Sequence, residues 1–282
     1  MDLPTLDFSN FSSNDASERK DLAGRMMESF RIHGAVRLIN HGIPVEAISS
    51  VFQWLSLDAR SRIPNIRDDT LQRGWSFQRS ESNSKLNMTD ENGSVPTNLF
   101  DKKEHFDWVI DDDEEFPNKW PAEEEIPNFR AAMTEFVQLC HNTGLRVLQA
   151  MDIWLELPSG TLAKRCESPV TEARTNVQRA WPHTDFGLIT LLFQDAVGGL
   201  EIEDRENPRK FIPIIQENPT EVAVYISDTM ESLANVASFV KASRNTSAGP
   251  LPHFVNRENP EQYEGMTAFE LHRKRVGQLF VD

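Results

Sequence analysis

His183 and Asp185 stand one residue apart in the segment Trp181-Pro-His-Thr-Asp-Phe-Gly-Leu-Ile-Thr-Leu-Leu-Phe193. In an extended segment, side chains two positions apart point to the same side, so an imidazole and a carboxylate converge. Such a pair supplies two of the three protein ligands of a 2-His-1-carboxylate site. That arrangement holds Fe(II) and leaves coordination positions open for a chelating co-substrate and O₂. A bare His-x-Asp carries little information alone, because it also describes a surface histidine beside a turn aspartate. Its weight depends on what surrounds it.

The remaining candidates are weaker. His33 and His41 flank the apolar run Ala35 to Ile39 and read as structural, while His105 and His141 have no partner at ligand spacing. Asp228 follows a strand end and reads as turn support. Arg73 and Arg79, either side of Gly74-Trp-Ser, lie in a region from which they could reach a substrate. Trp181, Phe186, Phe193 and Phe239 line an apolar pocket or belong to the core, and aromatic side chains near strands more often do the latter. Cys140 and Cys166 are isolated from each other and from any metal-like spacing. They read as reduced thiols, which removes disulfide frameworks and zinc ribbons.

The elements that must position the pair follow from periodicity. Asp15 and Glu18 form a capping-box-like start, after which Leu22, Met26 and Phe30 recur on one helical face until Gly34. Ala35 to Ile39 reads as a strand, and Asn40-His-Gly-Ile-Pro44 turns the chain into a second helix carrying Ile48, Phe52 and Leu55. Residues 64 to 125 read as polar, irregular loops, with acidic runs at Asp111 to Glu115 and Glu123 to Glu125. From Pro127 to Leu155 a long apolar stripe predicts a helix backing a sheet. Beyond Pro158 the period shortens: Leu188 to Phe193, Leu200 to Ile202, Phe211 to Ile215 and Val222 to Ile226 read as strands without crossover helices. That order favours an antiparallel barrel or sandwich covered by the front helices over a doubly wound fold.

Composition narrows the function classes. A net charge of -15 over 282 residues disfavours nucleic-acid backbones and anionic membranes as partners. No apolar run is long enough to cross a bilayer, and Met1-Asp-Leu-Pro-Thr lacks the features of a secretory signal. A cytoplasmic, monomeric protein handling a small molecule is expected. No internal repeat and no glycine-rich phosphate loop is present.

The flanks of the His-x-Asp pair raise it above chance. His183-Thr-Asp-Phe-Gly187, then Leu188-Ile-Thr-Leu-Leu-Phe-Gln-Asp195 and Val197-Gly-Gly-Leu-Glu-Ile202, resembles the metal-strand block of the isopenicillin N synthase-like branch of the Fe(II)/2-oxoglutarate-dependent dioxygenases. Ile32-His-Gly-Ala-Val-Arg-Leu-Ile-Asn-His-Gly-Ile-Pro44 is similar to that branch's N-terminal module. Ala242-Ser-Arg-Asn-Thr-Ser-Ala-Gly-Pro-Leu-Pro252 is similar to the tail of its fungal members. The resemblance implies an α+β protein whose mainly β core is a double-stranded β-helix, or jelly roll, flanked by N-terminal helices. It divides into an N-terminal module over 1–125 and a β-helix domain with its backing helix over 126–282, forming one integrated unit. It further implies Fe(II) held by His183, Asp185 and one distal histidine. 2-Oxoglutarate would chelate the iron and be decarboxylated by O₂, and the oxidant so formed would hydroxylate, desaturate or cyclise a small secondary metabolite.

The chain departs from that pattern in two places. The family's distal histidine and the Arg-x-Ser that grips 2-oxoglutarate are missing: beyond Asp185 the only histidines are His253, in a tail loop, and His272, in a basic helical segment. Arg244 is the nearest substitute for the lost arginine, and a poor one, because it follows the last recognisable strand. Before His183, Cys166 to Arg179 is too polar for the apolar strand expected there. Core strands are therefore expected to be missing, leaving unpaired edges and an incomplete metal pocket. Coding segments dropped by misplaced introns are one explanation. A retained fold without iron redox chemistry, serving as an isomerase, a cyclase or a binding protein, is the other.

Overall fold

The computed structural model describes residues 3–54, 73–76, 105–110, 116–167, 172–176, 185, 187–195, 198–205, 207–208, 210–226, 235–249, 251–255 and 265–279. His183, Trp181, Phe186, Arg79, Asp228 and the acidic run 111–115 lie outside the described residues.

In chain order the elements are β1 (Thr5–Asp7), α1 (Ala16–His33), β2 (Ala35–Ile39), α2 (Val45–Trp54), β3 (Gly74–Ser76), β4 (His105–Val109) and α3 (Phe129–Trp154). Then follow β5 (Glu172–Asn176), β6 (Ile189–Gln194), β7 (Glu201–Glu203), β8 (Phe211–Pro213), β9 (Val222–Ile226), β10 (Asn235–Val240) and α4 (Ala268–Leu279). Helix α1 starts where its sequence says it should: the Asp15 carboxylate accepts from the Ser17 N–H at 2.7 Å. Gly34 ends it at φ 75°, donating its N–H to the Phe30 carbonyl.

Eight strands form one sheet in the order β1-β2-β9-β6-β10-β5-β4-β3. Only β1 and β2 pair in parallel; each remaining neighbour is antiparallel. Among the described residues the second sheet is a single hairpin, β7 with β8. A jelly roll needs two facing sheets of comparable size. The architecture is therefore a mixed α+β fold with N-terminal helices and an open, incomplete β-helix core.

Strand alternation gives the large sheet two different faces. Val36 and Leu38 of β2, Leu191 and Phe193 of β6, Val222 and Val224 of β9, and Val236 and Val240 of β10 join the larger core cluster with α1, α2 and α3. Leu192, Ala223, Tyr225, Ala237 and Phe239 point the other way and pack with Leu200, Ile202 and Ile214 of the hairpin region. Helix α3 lies on the first face. There Gly144 lets it approach β10 so closely that a Cβ at this position would overlap Val240. Cys140 is buried beside Ser238 on the same face, and burial pushes its thiol up. Burial likewise raises Cys166, to about 12, so both thiols stay protonated and inert near neutrality.

Two sequence expectations need correction. Residues 64 to 125 are not wholly solvated loop: β4 is buried at every position, and β3 pairs with it. The hydrophobic alternation of β4 is masked because His105 and Asp107 occupy buried sites normally given to apolar residues. Cys166 to Arg179 also contains a strand despite its polarity. Glu172–Asn176 pairs with β10 on one side and β4 on the other. A strand flanked on both edges satisfies its backbone donors and acceptors whatever its side chains are.

His41 is structural, as expected. Its Nε2–H donates to the Thr220 carbonyl at 2.7 Å, while its Nδ1 accepts from the Ile43 N–H at 3.2 Å. This pairing fits only the neutral ring, and burial holds its pKa below the usual 6.5, with Arg146 nearby adding to the effect. Burial lowers His141 in the same direction. A depressed histidine pKa contributes stability that is present above the unfolded value and lost as pH falls through the folded value. Denaturant midpoints should therefore decline as pH drops below about 6.5, and His41→Gln should flatten that decline. A slope unchanged by the substitution would contradict the tautomer assignment. Separately, Gly144→Leu should cost about 1–3 kcal/mol in denaturant unfolding. Adding Val240→Ala should recover part of that loss, because the two side chains compete for one space.

Candidate functional site

Asp185 sits just before β6, buried to 7 % exposure on the sheet face that turns away from the helices. A buried carboxylate must be hydrogen-bonded to persist. The Thr190 hydroxyl donates to its Oδ2 at 2.8 Å. Tyr225, the cross-strand neighbour of Thr190 in the β6–β9 ladder, is fully buried and bonds to the same carboxylate. Burial above all, then the Asp185 charge and the hydrogen bond to it, holds the phenol well above its usual pKa of 10. The ladder register therefore aims two hydroxyl donors at one carboxylate. This is the support that fixes the orientation of a ligating or catalytic carboxylate.

His183, the other half of the expected pair, lies outside the described residues, so only the Asp185 half can be placed. Among the described residues no group of three His, Cys, Asp or Glu side chains is placed to hold a metal ion. His253 is exposed in a short 3-10 turn, edge-on to Phe254. His272 is half-buried in α4. Phe193 belongs to the helix-side core, with its ring 5.3 Å from that of Phe136. Phe239 lies on the Asp185 face of the sheet.

One pair escapes a reading of the sequence. His105 Nε2 lies 3.0 Å from Asp107 Oδ2, and both side chains are wholly buried at 0 % and 1 % exposure. They project from the same side of β4, since Phe106 and Trp108 between and beyond them fill the helix-side core. The signal is present: it is the same His-x-Asp spacing that singles out His183 and Asp185. It carries weight only once β4 is known to be a strand.

A second residue of this kind is Arg37. Its guanidinium is buried and donates to the Leu3 carbonyl through Nε and Nη2 at 3.0 and 2.6 Å, and to the Ile215 carbonyl at 2.8 Å. Glu221 lies 3.8 Å away, its pKa raised by burial and pulled back by Arg37. Arg37 thus ties the N-terminal segment to the irregular segment leading into β9, a structural role.

Where β6 begins and β10 ends, the chain surrounds a cavity of about 280 Å³. Gly187 and Leu188 form part of its wall. Two residues of extended chain span at most about 7 Å, so Asp185 is a near neighbour of this cavity. Five cationic residues line it: Arg73, Arg165, Lys241, Arg244 and Arg273. Phe116, Leu162, Leu188, Phe269 and Leu271 supply apolar wall, and no Asp or Glu occurs in the described lining. Arg73 and Arg244, two of the residues marked in the sequence, are thereby brought together.

The sequence and the fold are similar to those of known proteins over nearly the whole chain. Residues 3–123 match the family model for the N-terminal region of non-haem dioxygenases of morphine synthesis. The chain is 32 % identical to the 2-oxoglutarate-dependent dioxygenase ecdK of Aspergillus rugulosus over 332 residues, covering 99 % of this chain and 100 % of that protein. It is 33 % identical to imqE of Aspergillus flavus, of the same description, covering 99 % of this chain and 94 % of that one. Among solved structures, a full-length Neurospora crassa protein in complex with alpha-KG superposes with a TM-score of 0.80 at 20 % identity, over 98 % of this chain and 96 % of that one. The match to ecdK spans 332 positions against the 282 residues of this chain. The relative therefore carries residues inside the shared span that this chain lacks.

Tyr225 is one of two tyrosines in the chain. In a spectrophotometric titration it should remain protonated after an ordinary phenol has ionised, and Tyr225→Phe should remove that delayed component. Its stabilising contribution is complete below pH 10 and is lost as pH rises further. The same substitution leaves Asp185 one donor short and should cost about 1–3 kcal/mol in denaturant unfolding at neutral pH.

Proposed function

The chain belongs to the Fe(II)/2-oxoglutarate-dependent dioxygenase superfamily, and on that premise we propose that it oxidises a small secondary metabolite, with His183 and Asp185 as the protein ligands of the iron. The observation that carries this reading is the Asp185 carboxylate, buried and oriented by Thr190 and Tyr225 on the sheet face opposite the helices. A hard carboxylate oxygen held in place, beside an imidazole two positions earlier, suits Fe(II). The donor set fits in its carboxylate arm. A third ligand is not supplied by any histidine with family-like surroundings in the sequence.

When bound, iron and 2-oxoglutarate supply oxidising power drawn from O₂. The chain's own residues do the rest. Thr190 and Tyr225 hold the carboxylate in one orientation. The apolar side chains Leu192, Ala223 and Ala237 on the same face exclude water. Arg244, among the cations of the adjoining cavity, is the candidate for the outer carboxylate of 2-oxoglutarate, in place of the absent Arg-x-Ser. The missing distal histidine, and the residues that ecdK carries and this chain lacks, favour a second reading. In it the same pocket serves a non-redox isomerase or cyclase, or a binding protein.

Folded protein reconstituted with Fe(II) without oxygen, then given 2-oxoglutarate and O₂, should release succinate. Asp185→Ala and His183→Ala should abolish that release, and Thr190→Val should weaken iron binding by about 10- to 100-fold. Folded protein that retains no iron and yields no succinate would establish the second reading.

A further inference from the structure

Arg146, midway along α3, meets only neutral groups, although the chain carries 44 acidic residues against 29 basic ones. Its Nη2 donates to the Ser12 hydroxyl at 2.7 Å and its Nη1 to the His41 carbonyl at 3.3 Å. Its guanidinium face lies 5.1 Å from the Phe8 ring centroid and 6.0 Å from that of Phe11. Among the described residues no carboxylate pairs with it. The nearby acids are engaged elsewhere: Asp7 accepts from Ser9 and Asn40, and Asp15 from Ser17. A guanidinium has five N–H donors, so this one has capacity for further oxygens.

The arginine is also held in place. Phe8 is wholly buried, and Phe11 stacks on it with centroids 5.4 Å apart. Stacking uses the face of the guanidinium and leaves its in-plane fork for an oxyanion. Ser12, the last residue of the 3-10 turn Phe8–Ser12, is exposed and fixed beside that fork. Arg19 donates to the carbonyl of the next residue, Ser13, whose hydroxyl accepts from the Asp15 N–H at 3.0 Å. The segment reads Ser12-Ser-Asn-Asp15, which sets an exposed carboxylate three positions after Ser12.

We propose that Ser12 is a phosphorylation site, modified by a serine kinase that reads an acidic side chain three positions beyond the acceptor, and that Arg146 receives the phosphate. In the transfer, Ser12 Oγ bonds to the γ-phosphorus of ATP and the bond from that phosphorus to the bridging oxygen breaks. ADP leaves, and the hydroxyl proton passes to the kinase's catalytic base. A phosphoserine brings about -1.5 to -2 charges and three acceptor oxygens, so a neutral hydrogen bond becomes a charge-assisted one. Asp7 and Asp15 oppose the new charge, Arg19 and Arg146 favour it, and the neutral His41 ring adds none. Arg146 prevails because it is in direct contact. The segment joining β1 to α1 is thereby stapled to α3. This proposal is independent of the oxygenase reading.

The full chain incubated with ATP and an acidophilic casein kinase should take up phosphate at Ser12, located by peptide mass spectrometry. Ser12→Ala should remove it. Asp15→Asn, which keeps a cap for α1, should slow uptake about tenfold. Phosphoserine placed at position 12 by codon suppression tests the acceptor side. Its phosphorus resonance should titrate below the ordinary value of about 6, and high salt should return it towards that value. Arg146→Gln, checked for native circular dichroism, should do the same, whereas the exposed Arg25→Gln should not. The thermal midpoint of the phosphorylated chain should rise by about 2–4 °C. No uptake, uptake only at other residues, or a phosphorus titration at the ordinary value in folded protein would overturn the proposal. So would a titration that neither salt nor Arg146→Gln moves. The salt arm needs no substitution, so the test stands even where Arg146→Gln does not fold.

Discussion

Alternation along β6, β9 and β10 governs the rest of the molecule. Because successive side chains leave a strand on opposite sides, every residue that helps bury α3 has a neighbour committed to the other face. Leu191 and Phe193 press on the helix, while Thr190 and Leu192 face away from it. Val224 fills the helix-side core, and Tyr225 beside it meets the Asp185 carboxylate. A register slip of one residue would exchange these roles throughout. The apolar packing of the front half therefore fixes the geometry of the polar site on the back.

The helix-side packing is correspondingly tight. Gly144 admits Val240 against the axis of α3, and the rings of Phe106, Trp120 and Phe129 pack against one another at tilted and edge-on angles beneath the sheet. The opposite face is less fully covered, since among the described residues its facing sheet is only the β7–β8 hairpin. Polar groups concentrate there: Asp185 with Thr190 and Tyr225, His105 with Asp107, and Arg37 with Glu221. Each is paired, as burial demands.

Electrostatics divides the molecule in a second way. Acidic residues dominate the whole chain, whereas the cavity wall gathers arginines from four separate stretches: Arg73, Arg165, Arg244 and Arg273. No local stretch of sequence is basic enough to announce this, apart from the Arg273-Lys-Arg run of α4. The concentration arises because the turn after β10, the 3-10 turn Ala163–Cys166 and the start of α4 are hydrogen-bonded to one another.

Periodicity and short motifs were sufficient for the helices, for β2, β6 and β9, and for choosing Asp185 as a residue of interest, because each depends on interactions within a few positions of sequence. The family followed from the flanks of His183-Thr-Asp185 for the same reason. Strands β4 and β5 were not legible, since their polar side chains hide a backbone pairing that only the neighbouring strands supply. Nor was the contact of Tyr225 with Asp185, 40 residues apart in the chain, or the assembly of cations around one cavity. Those depend on ladder register and on which loops meet at one end of the sheet. Such pairings are set by the packing of distant segments, and no local pattern encodes them.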